Sequence, residues 1–340
     1  MGDRYSRQSL FAPIGESGQQ KLATKHVLII GLGALGTGTS EALTRAGIGK
    51  LTIVDRDYVE WSNLQRQQLY TEADAAGHIP KAIAAKKRLQ AINSEIEITE
   101  HIVDVTPLEL ENLSENIDLI LDATDNFEIR MIINDHSQKH RIPWIYGSCV
   151  GSYGISYTVL PGKTPCLYCL MEEVPLGGTT CDTVGIIQPT VGMVVVQQTA
   201  EALKLLTENE SALRHKLISF DLWMNEQSAI DVAALKNPNC PSCGKEPTYP
   251  FLAFENQLKT AVLCGRNTVQ IRPANNQDID LEAVAIRLLA TGGQVERNPF
   301  LLSFTIHNQR LVLFKDGRSL VHGTKDKRKA RTLYHQYFGS

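Results

Sequence analysis

Short apolar runs alternate with helical patterns through the first part of the chain. The segment KHVLIIGLGALGTGTSEALTRAGIGKLTIVDRD holds a β-branched apolar run, a glycine turn, an amphipathic stretch and a second apolar run that ends in acid. This order predicts a β-α-β unit. Further apolar runs at 96–101, 117–121 and 143–146 are separated by helical patterns at 80–93 and 126–140. We therefore predict an α/β fold with a Rossmann-like, mostly parallel sheet covered by helices.

The pattern changes after residue 147 to glycine-rich short strands, GSCVGSYGISYTVLPG, which predict an antiparallel extension of the same sheet. A long helix is predicted at 192–206. The stretch NPNCPSCGKEPTYP is rich in Pro, Asn and Gly and marks the end of a first domain. The rest predicts a small α+β unit, with strands at 268–271, 301–306 and 311–314 and helices at 281–290 and 325–337. We expect two domains, residues 1–250 and 258–340.

Composition excludes some partners. The 340 residues are 43% hydrophobic and 21% charged, and the net charge of -3 gives no long-range attraction to nucleic acid or a membrane surface. The N-terminal MGDRYSRQ has charges where a signal peptide needs an apolar core. No apolar run approaches the roughly 18 residues of a membrane span. We expect a cytoplasmic protein that binds neither nucleic acid nor membrane.

A glycine loop predicts nucleotide binding. Gly31-Leu32-Gly33-Ala34-Leu35-Gly36 follows a predicted strand and begins a helix, so its backbone amides can face a phosphate. Asp55 ends the next predicted strand, nineteen residues after Gly36, where dinucleotide folds place a ribose-binding acid. A purely structural glycine turn is the alternative. These residues leave the identity of the nucleotide open.

Two cations and one acid favour phosphate chemistry. Arg66 ends the segment DRDYVEWSNLQR, and Lys81 ends GHIPK. Both could neutralise the charge that builds on ATP phosphates when a carboxylate attacks, whereas a nicotinamide enzyme breaks no phosphate bond. Asp125 follows the predicted strand DLILDAT and could hold Mg²⁺. The alternatives are solvated surface charges for Arg66 and Lys81, and a helix N-cap for Asp125.

The seven cysteines include two C-x-x-C pairs. Cys166 with Cys169, and Cys240 with Cys243, supply enough thiols for a closed, structural zinc site. Because seventy residues separate the pairs, two independent reduced pairs are the alternative. Cys181 lies in the polar segment GGTTCDT, where exposure favours a reactive thiol; an inert cysteine is the alternative.

The combination GLGALG, DRDYVEWSNLQRQ, GHIPK, DATDN and paired C-x-x-C resembles the ubiquitin-activating superfamily over about residues 3–246. Within it the chain is most similar to the ThiF/MoeB/HesA family of bacterial adenylyltransferases, which activate the sulfur carriers ThiS and MoaD. The resemblance implies ATP over the glycine loop, with Asp55 on the ribose and Asp125 on Mg²⁺. The residues expected to bind ATP are Gly31, Gly33, Ala34, Gly36, Asp55, Ser62, Asn63, Arg66, Lys81, Asp125 and Asn126.

The family also begins with a motif like Arg4-Tyr5-Ser6-Arg7-Gln8, whose second arginine reaches the ATP of the other subunit. The resemblance therefore implies a homodimer with Arg7 acting in trans. The expected catalytic residues are Arg7, Arg66, Lys81, Asp125 and Cys181. The chain departs from the family at Ala34, where a glycine is common; backbone amide donation survives that change.

The implied reaction is ATP-dependent adenylation of the C-terminal glycine carboxylate of a carrier protein, with release of pyrophosphate. The stretches CGRNTVQIRP and FKDGRSLVHGTKD resemble an extension found in thiamine-pathway members of the family and favour ThiS over MoaD. The active-site motifs do not separate these two carriers. A cysteine desulfurase is a further partner that the sulfur chemistry suggests.

Two other function classes are weighed against this one. A nicotinamide-dependent oxidoreductase accounts for the glycine loop and Asp55 but leaves the cations and cysteine pairs unexplained. A non-catalytic binding module is expected to lack at least one of Arg66, Lys81 and Asp125, and all three are present.

Overall fold

The computed structural model describes residues 3–171, 184–253, 260–262, 267–272, 278–307 and 309–338. The chain divides into two compact units. The larger comprises Met1–Ala76 and Pro80–Asn256, and the smaller comprises Gly77–Ile79 and Gln257–Ser340.

The larger unit is built on an eight-stranded sheet in the order β3-β2-β1-β4-β5-β6-β7-β8. The first five strands in the chain are parallel to one another and the last three are antiparallel to their neighbours. The strands are β1 (His26–Ile30), β2 (Lys50–Val54), β3 (Glu97–His101), β4 (Leu119–Asp122), β5 (Trp144–Val150), β6 (Tyr153–Val159), β7 (Leu217–Asp221) and β8 (Glu226–Ile230). The predicted parallel sheet with an antiparallel extension is confirmed.

Helices cover this sheet. They are α1 (Ser6–Ser9), α2 (Gly15–Leu22), α3 (Ala34–Ala46), α4 (Glu72–Ala76), α5 (Lys81–Ile92), α6 (Pro107–Leu113), α7 (Phe127–His140), α8 (Leu167–Met171) and α9 (Gln188–Leu206). Helices α3 and α9 pack closely where Gly38 of α3 faces Val195 of α9. A Cβ on Gly38 would lie only 2.7 Å from the Val195 side chain. Among the described residues, no helix combines the length and apolarity needed to cross a membrane.

The direction of the chain reverses between β5 and β6. Gly151 adopts a positive φ of 59° at the turn between these strands, a backbone conformation that glycine takes without strain. Tyr146 and Tyr157, paired across the two strands, are both almost fully buried. A direct β5–β6 hairpin therefore replaces a further helical crossover, as the glycine-rich sequence predicts.

The smaller unit is a six-stranded antiparallel sheet in the order β11-β12-β13-β14-β10-β9, with two helices. Its elements are β9 (Thr260–Val262), β10 (Thr268–Ile271), α10 (Leu281–Leu289), β11 (Gln294–Arg297), β12 (Leu301–Ile306), β13 (Gln309–Phe314), β14 (Ser319–His322) and α11 (Lys327–Tyr337). Buried residues of both helices and the sheet, such as Leu288, Phe304 and Ala330, form its own core. The predicted α+β class of this part is confirmed.

Candidate active site

The glycine loop joins β1 to α3 in a turn that tolerates little substitution. Gly31 has a φ of +92°, and a Cβ there would lie 2.6 Å from the carbonyl oxygen of Ala123. A Cβ on Gly36 would lie 1.9 Å from the carbonyl oxygen of Gly31. Gly33, by contrast, has open space beside it, with Gln67 Nε2 at 3.9 Å from its virtual Cβ. The N-terminus of α3, which starts at Ala34, is therefore open to a phosphate.

The carboxylate of Asp55 is held by backbone amides on both sides. Its Oδ2 accepts a hydrogen bond from the Leu32 N–H at 2.6 Å, and its Oδ1 accepts from the Asp57 N–H at 2.7 Å. Burial raises the pKa of Asp55, and the positive charge of Lys81 opposes that rise. Each oxygen keeps acceptor capacity, so the carboxylate can bind ribose hydroxyls next to the glycine loop.

Lys81 is the first residue of α5 and is only 3% exposed. Its Nζ lies 3.7 Å from Oδ2 of Asp57. The interpretation of Lys81 as a solvated surface charge is therefore wrong. A buried ammonium that is not fully neutralised by close contact attracts phosphate oxygens more strongly than a surface lysine does, because water screens it less.

Ser62 lies within a short 3-10 helix, Trp61–Asn63, and Arg66 lies just after it. The Asn63 side-chain oxygen accepts from the Glu60 N–H at 3.0 Å, and the Glu60 side chain caps the Asn63 N–H in return. This capping box presents Ser62 on the surface, while Nη1 of the partly exposed Arg66 donates to the Ser62 carbonyl oxygen at 3.0 Å. Asn63, a residue predicted to contact phosphate, thus uses its side-chain oxygen to shape the turn.

Asp125 and Asn126 follow β4, at the carboxyl end of the sheet. Asn126 is the N-cap of α7, because its Oδ1 accepts from the N–H groups of Glu128 at 2.9 Å and Ile129 at 3.4 Å. The alternative role of Asp125 as this cap is therefore wrong. Its carboxylate is exposed, beside the strand end where open α/β sheets bind ligands.

A buried ion pair under this loop was missed by sequence reasoning. Asp122, fully buried, accepts from Nε of Arg130 at 3.1 Å and from the Thr124 hydroxyl at 2.7 Å. Arg130 Nη2 also donates to the Thr124 carbonyl oxygen at 2.6 Å. Burial raises the pKa of Asp122, and the charge of Arg130 opposes that rise. The pair fixes the backbone that leads to Asp125.

Two predicted catalytic residues lie apart from these contacts. Arg7 is exposed on α1. Cys181 lies outside the described residues. The structure therefore gathers the glycine loop, Asp55 and Lys81, and places Arg66 just after the 3-10 helix and Asp125 just after β4, without assigning Arg7 or Cys181 to the site.

The four predicted metal ligands form one cluster. All four sulfurs lie within 4.8 Å of one another, with Cys166–Cys240 at 3.7 Å and Cys169–Cys243 at 3.5 Å between the pairs. The interpretation as two independent cysteine pairs is therefore wrong. Thiolates at about 2.3 Å from a tetrahedral zinc ion lie about 3.8 Å apart, whereas a disulfide needs about 2.05 Å.

Local hydrogen bonds also prepare these sulfurs for a cation. The N–H groups of Ser242 and Cys243 point at Cys240 Sγ, at 3.4 and 3.5 Å. The hydrogen bond from the Cys166 thiol lowers the pKa of Cys169. Negative charge is thus favoured on Cys169, whereas hydrogen bonds to Cys169 and Cys243 raise the pKa of Cys166, so a cation would have to displace that proton. The spacing of the four sulfurs fits a zinc ion.

Comparison with known proteins decides the family. A family model described as the ThiF family matches residues 5–242. The chain belongs to the ThiF family. The resemblance inferred from the motifs is confirmed. The ThiF-family part contains the glycine loop, Lys81 and three of the four clustered cysteines, and the fourth, Cys243, follows immediately.

Relatives of this ThiF-family chain differ in how much of it they match. It is 54% identical to the sulfur carrier protein ThiS adenylyltransferase of Bacillus subtilis strain 168, over 100% of both chains. It is 32% identical to the molybdopterin-synthase adenylyltransferase of Escherichia coli K12, covering 71% of this chain and 96% of that protein. A crystal structure of E. coli MccB matches with a TM-score of 0.62 and 24% identity, over 72% of this chain and 74% of that one, which confirms the fold.

Proposed function

We propose that this protein adenylates the C-terminal glycine carboxylate of the sulfur carrier ThiS with ATP, releasing pyrophosphate, in thiamine biosynthesis. The observation that carries the proposal is the 54% identity to a ThiS adenylyltransferase over the full length of both chains. The molybdopterin-pathway relative matches 71% of this chain. The same reaction on MoaD is the alternative.

The reaction needs positioning and charge neutralisation more than acid-base chemistry. A carboxylate is ionised at pH 7, so it can attack the α-phosphorus directly, while the bond to the bridging oxygen breaks and pyrophosphate leaves. Backbone amides at Gly33 and Ala34, with Lys81 and Arg66, are suited to stabilise the charge on the phosphates. Asp55 would hold the ribose.

Metal ions have separate roles in this proposal. Asp125 would hold Mg²⁺, since its exposed carboxylate leaves most coordination positions to phosphates and water. When bound, Mg²⁺ would neutralise part of the negative charge on the phosphates. The four cysteines would hold a structural Zn²⁺, because four thiolates leave no open position for a substrate.

The proposal also includes a homodimer in which Arg7 reaches the ATP of the second copy. Exposure of Arg7 on α1 supports this, since an arginine that acts in trans has to extend beyond its own subunit. A cysteine desulfurase is the proposed source of sulfur. A nicotinamide-dependent oxidoreductase is disfavoured, because it gives no role to the buried Lys81 or to the cysteine cluster.

Exchange of labelled pyrophosphate into ATP tests the reaction and the carrier together. We expect exchange with purified ThiS, little with MoaD, and none without a carrier, because the back reaction needs the acyl-adenylate. A ThiS variant lacking its terminal glycine is the matched control and is expected to be inactive. Faster exchange with MoaD would reassign the carrier, and turnover of NAD without ATP would overturn the proposal.

Cys181 is proposed to act after adenylation. Its thiolate could attack the acyl-adenylate and release AMP, leaving a thioester from which sulfide supplied by the donor displaces the Cys181 thiolate to give the thiocarboxylate. Alternatively, the outer sulfur of a Cys181 persulfide could attack the same carbon and release AMP, leaving an acyl disulfide that a second thiol reduces to the thiocarboxylate. Cys181→Ser is expected to keep pyrophosphate exchange but to lower formation of the carrier thiocarboxylate when a sulfur donor is supplied. Intact mass of the carrier measures this yield. An unchanged yield would make Cys181 a bystander and leave direct attack of sulfur on the adenylate.

A further inference from the structure

Glu111, His136 and His140 bring three metal-binding groups together at a place that the proposed function does not use. Glu111 lies on α6, and the two histidines lie one turn apart near the end of α7. Their ligand atoms all lie within 4.8 Å of one another. Oε2 of Glu111 is 3.0 Å from His140 Nε2 and 3.7 Å from His136 Nδ1.

One ring nitrogen of His136 is taken up by Ser114. His136 Nε2 lies 2.8 Å from the Ser114 oxygen, so a hydrogen bond joins these two atoms. The Ser114 hydroxyl also lies 3.2 Å from the Glu111 carbonyl oxygen. Nδ1 is left as the ring nitrogen that faces the Glu111 carboxylate.

The second nitrogen, Nδ1, is buried without a partner. The His136 side chain is fully buried, and its Nδ1 has no hydrogen-bond partner among the described residues. The carboxylate oxygen of Glu111 lies 3.7 Å from it, which is too far for a hydrogen bond. A buried polar atom without a partner is unfavourable. A cation between Nδ1 and the carboxylate satisfies both groups.

We propose that Glu111, His136 and His140 bind a divalent transition-metal ion such as Zn²⁺, with water as the fourth ligand. Nitrogen and oxygen ligands at about 2.0–2.1 Å from a tetrahedral zinc ion lie about 3.3 Å apart, close to the distances of 3.0 and 3.7 Å found here. The bond from His136 Nε2 to Ser114 orients the ring in the way that metal-binding histidines require.

The ion would join the end of α6 to the last turn of α7, where the helix dipole favours positive charge. Lys139 Nζ lies 3.7 Å from the same Glu111 oxygen and competes for its charge, which limits the affinity. The site is open enough for an ion to enter, since Glu111 is 47% and His140 31% exposed. Its role is structural and separate from the four-cysteine cluster.

Equilibrium dialysis of the full-length protein against Zn²⁺ tests the site, with metal per chain measured before and after. We expect one further zinc ion beyond the amount already held by the cysteines. His140→Ala and Glu111→Gln, both at partly exposed side chains, are expected to lose this ion and keep the first. His335→Ala, at an exposed histidine on α11, is the matched control and is expected to keep both.

Co²⁺ distinguishes the two sites by spectrum. At the four cysteines it gives intense sulfur-to-metal absorption, whereas at the proposed site it gives only weak visible bands, which both variants should lose. A further zinc ion that persists in both variants would overturn the proposal. So would uptake of no further ion by the wild-type protein, which would leave a hydrogen-bonded cluster only.

Discussion

Replacement of Lys81 by alanine is expected to lower pyrophosphate exchange by about 10²- to 10³-fold, the cost of removing one preorganised charge from a phosphate site. The expected effect is large because the ammonium is buried at the N-terminus of α5 and is screened little by water. Rates measured across a range of ATP concentrations show where the loss falls. A contact made mainly in the transition state lowers kcat and kcat/KM together.

Lys87→Ala is the matched control for this variant. Lys87 lies on the same helix but is exposed. Its replacement is expected to leave exchange within about twofold of wild type, as surface changes usually cost little. Circular dichroism has to show that both variants are folded. Exchange by Lys81→Ala at the wild-type rate would remove Lys81 from the site.

Loss of the proposed zinc ion is the second large effect that we expect. Cys240→Ser removes one of four ligands, and we expect it to lower the zinc content from about one ion per chain and to reduce the free energy of unfolding by more than about 4 kcal/mol. Cys166 and Cys240 belong to the same buried core cluster as Trp144 and Tyr157, so loosening of the metal site disturbs that core. Elemental analysis and denaturant unfolding measure the two quantities.

Cys149→Ser controls for a general effect of removing a thiol. Cys149 lies on β5 and is not one of the four clustered cysteines. Its replacement is expected to leave the zinc content unchanged. If Cys240→Ser kept both its zinc and its stability, the four sulfurs would not share an ion.

The elements of the fold followed from sequence wherever hydrophobic periodicity was strong. The β1-α3-β2 unit, α7 and three of the six strands of the smaller unit lie within a few residues of their predicted bounds. Helix α6 and strand β14 are among the elements that were missed. Each is short, and four to seven residues give too little periodicity to separate a helix or strand from a loop.

The site was less predictable because its finer features depend on three-dimensional contacts. Sequence offered Asp125 as the alternative cap for α7, and only the backbone geometry shows that Asn126 takes that role. The Asp122–Arg130 pair joins a strand to a helix with no local signature. The capping box of Glu60 and Asn63 did have a signal, an acid and an amide three residues apart, but in the reverse of the usual order.

The double anchoring of Asp55 has a consequence for how ATP would bind. Its carboxylate rotamer is already fixed by the Leu32 and Asp57 amides, so the loss of side-chain entropy occurs during folding and not during binding. Arg66 is partly exposed and has a long side chain, whose ordering would cost about 0.5–1.5 kcal/mol on binding. With the proposed contacts, the entropic cost of holding ATP would be concentrated at its phosphates, and the ribose would enter a position that is set in advance.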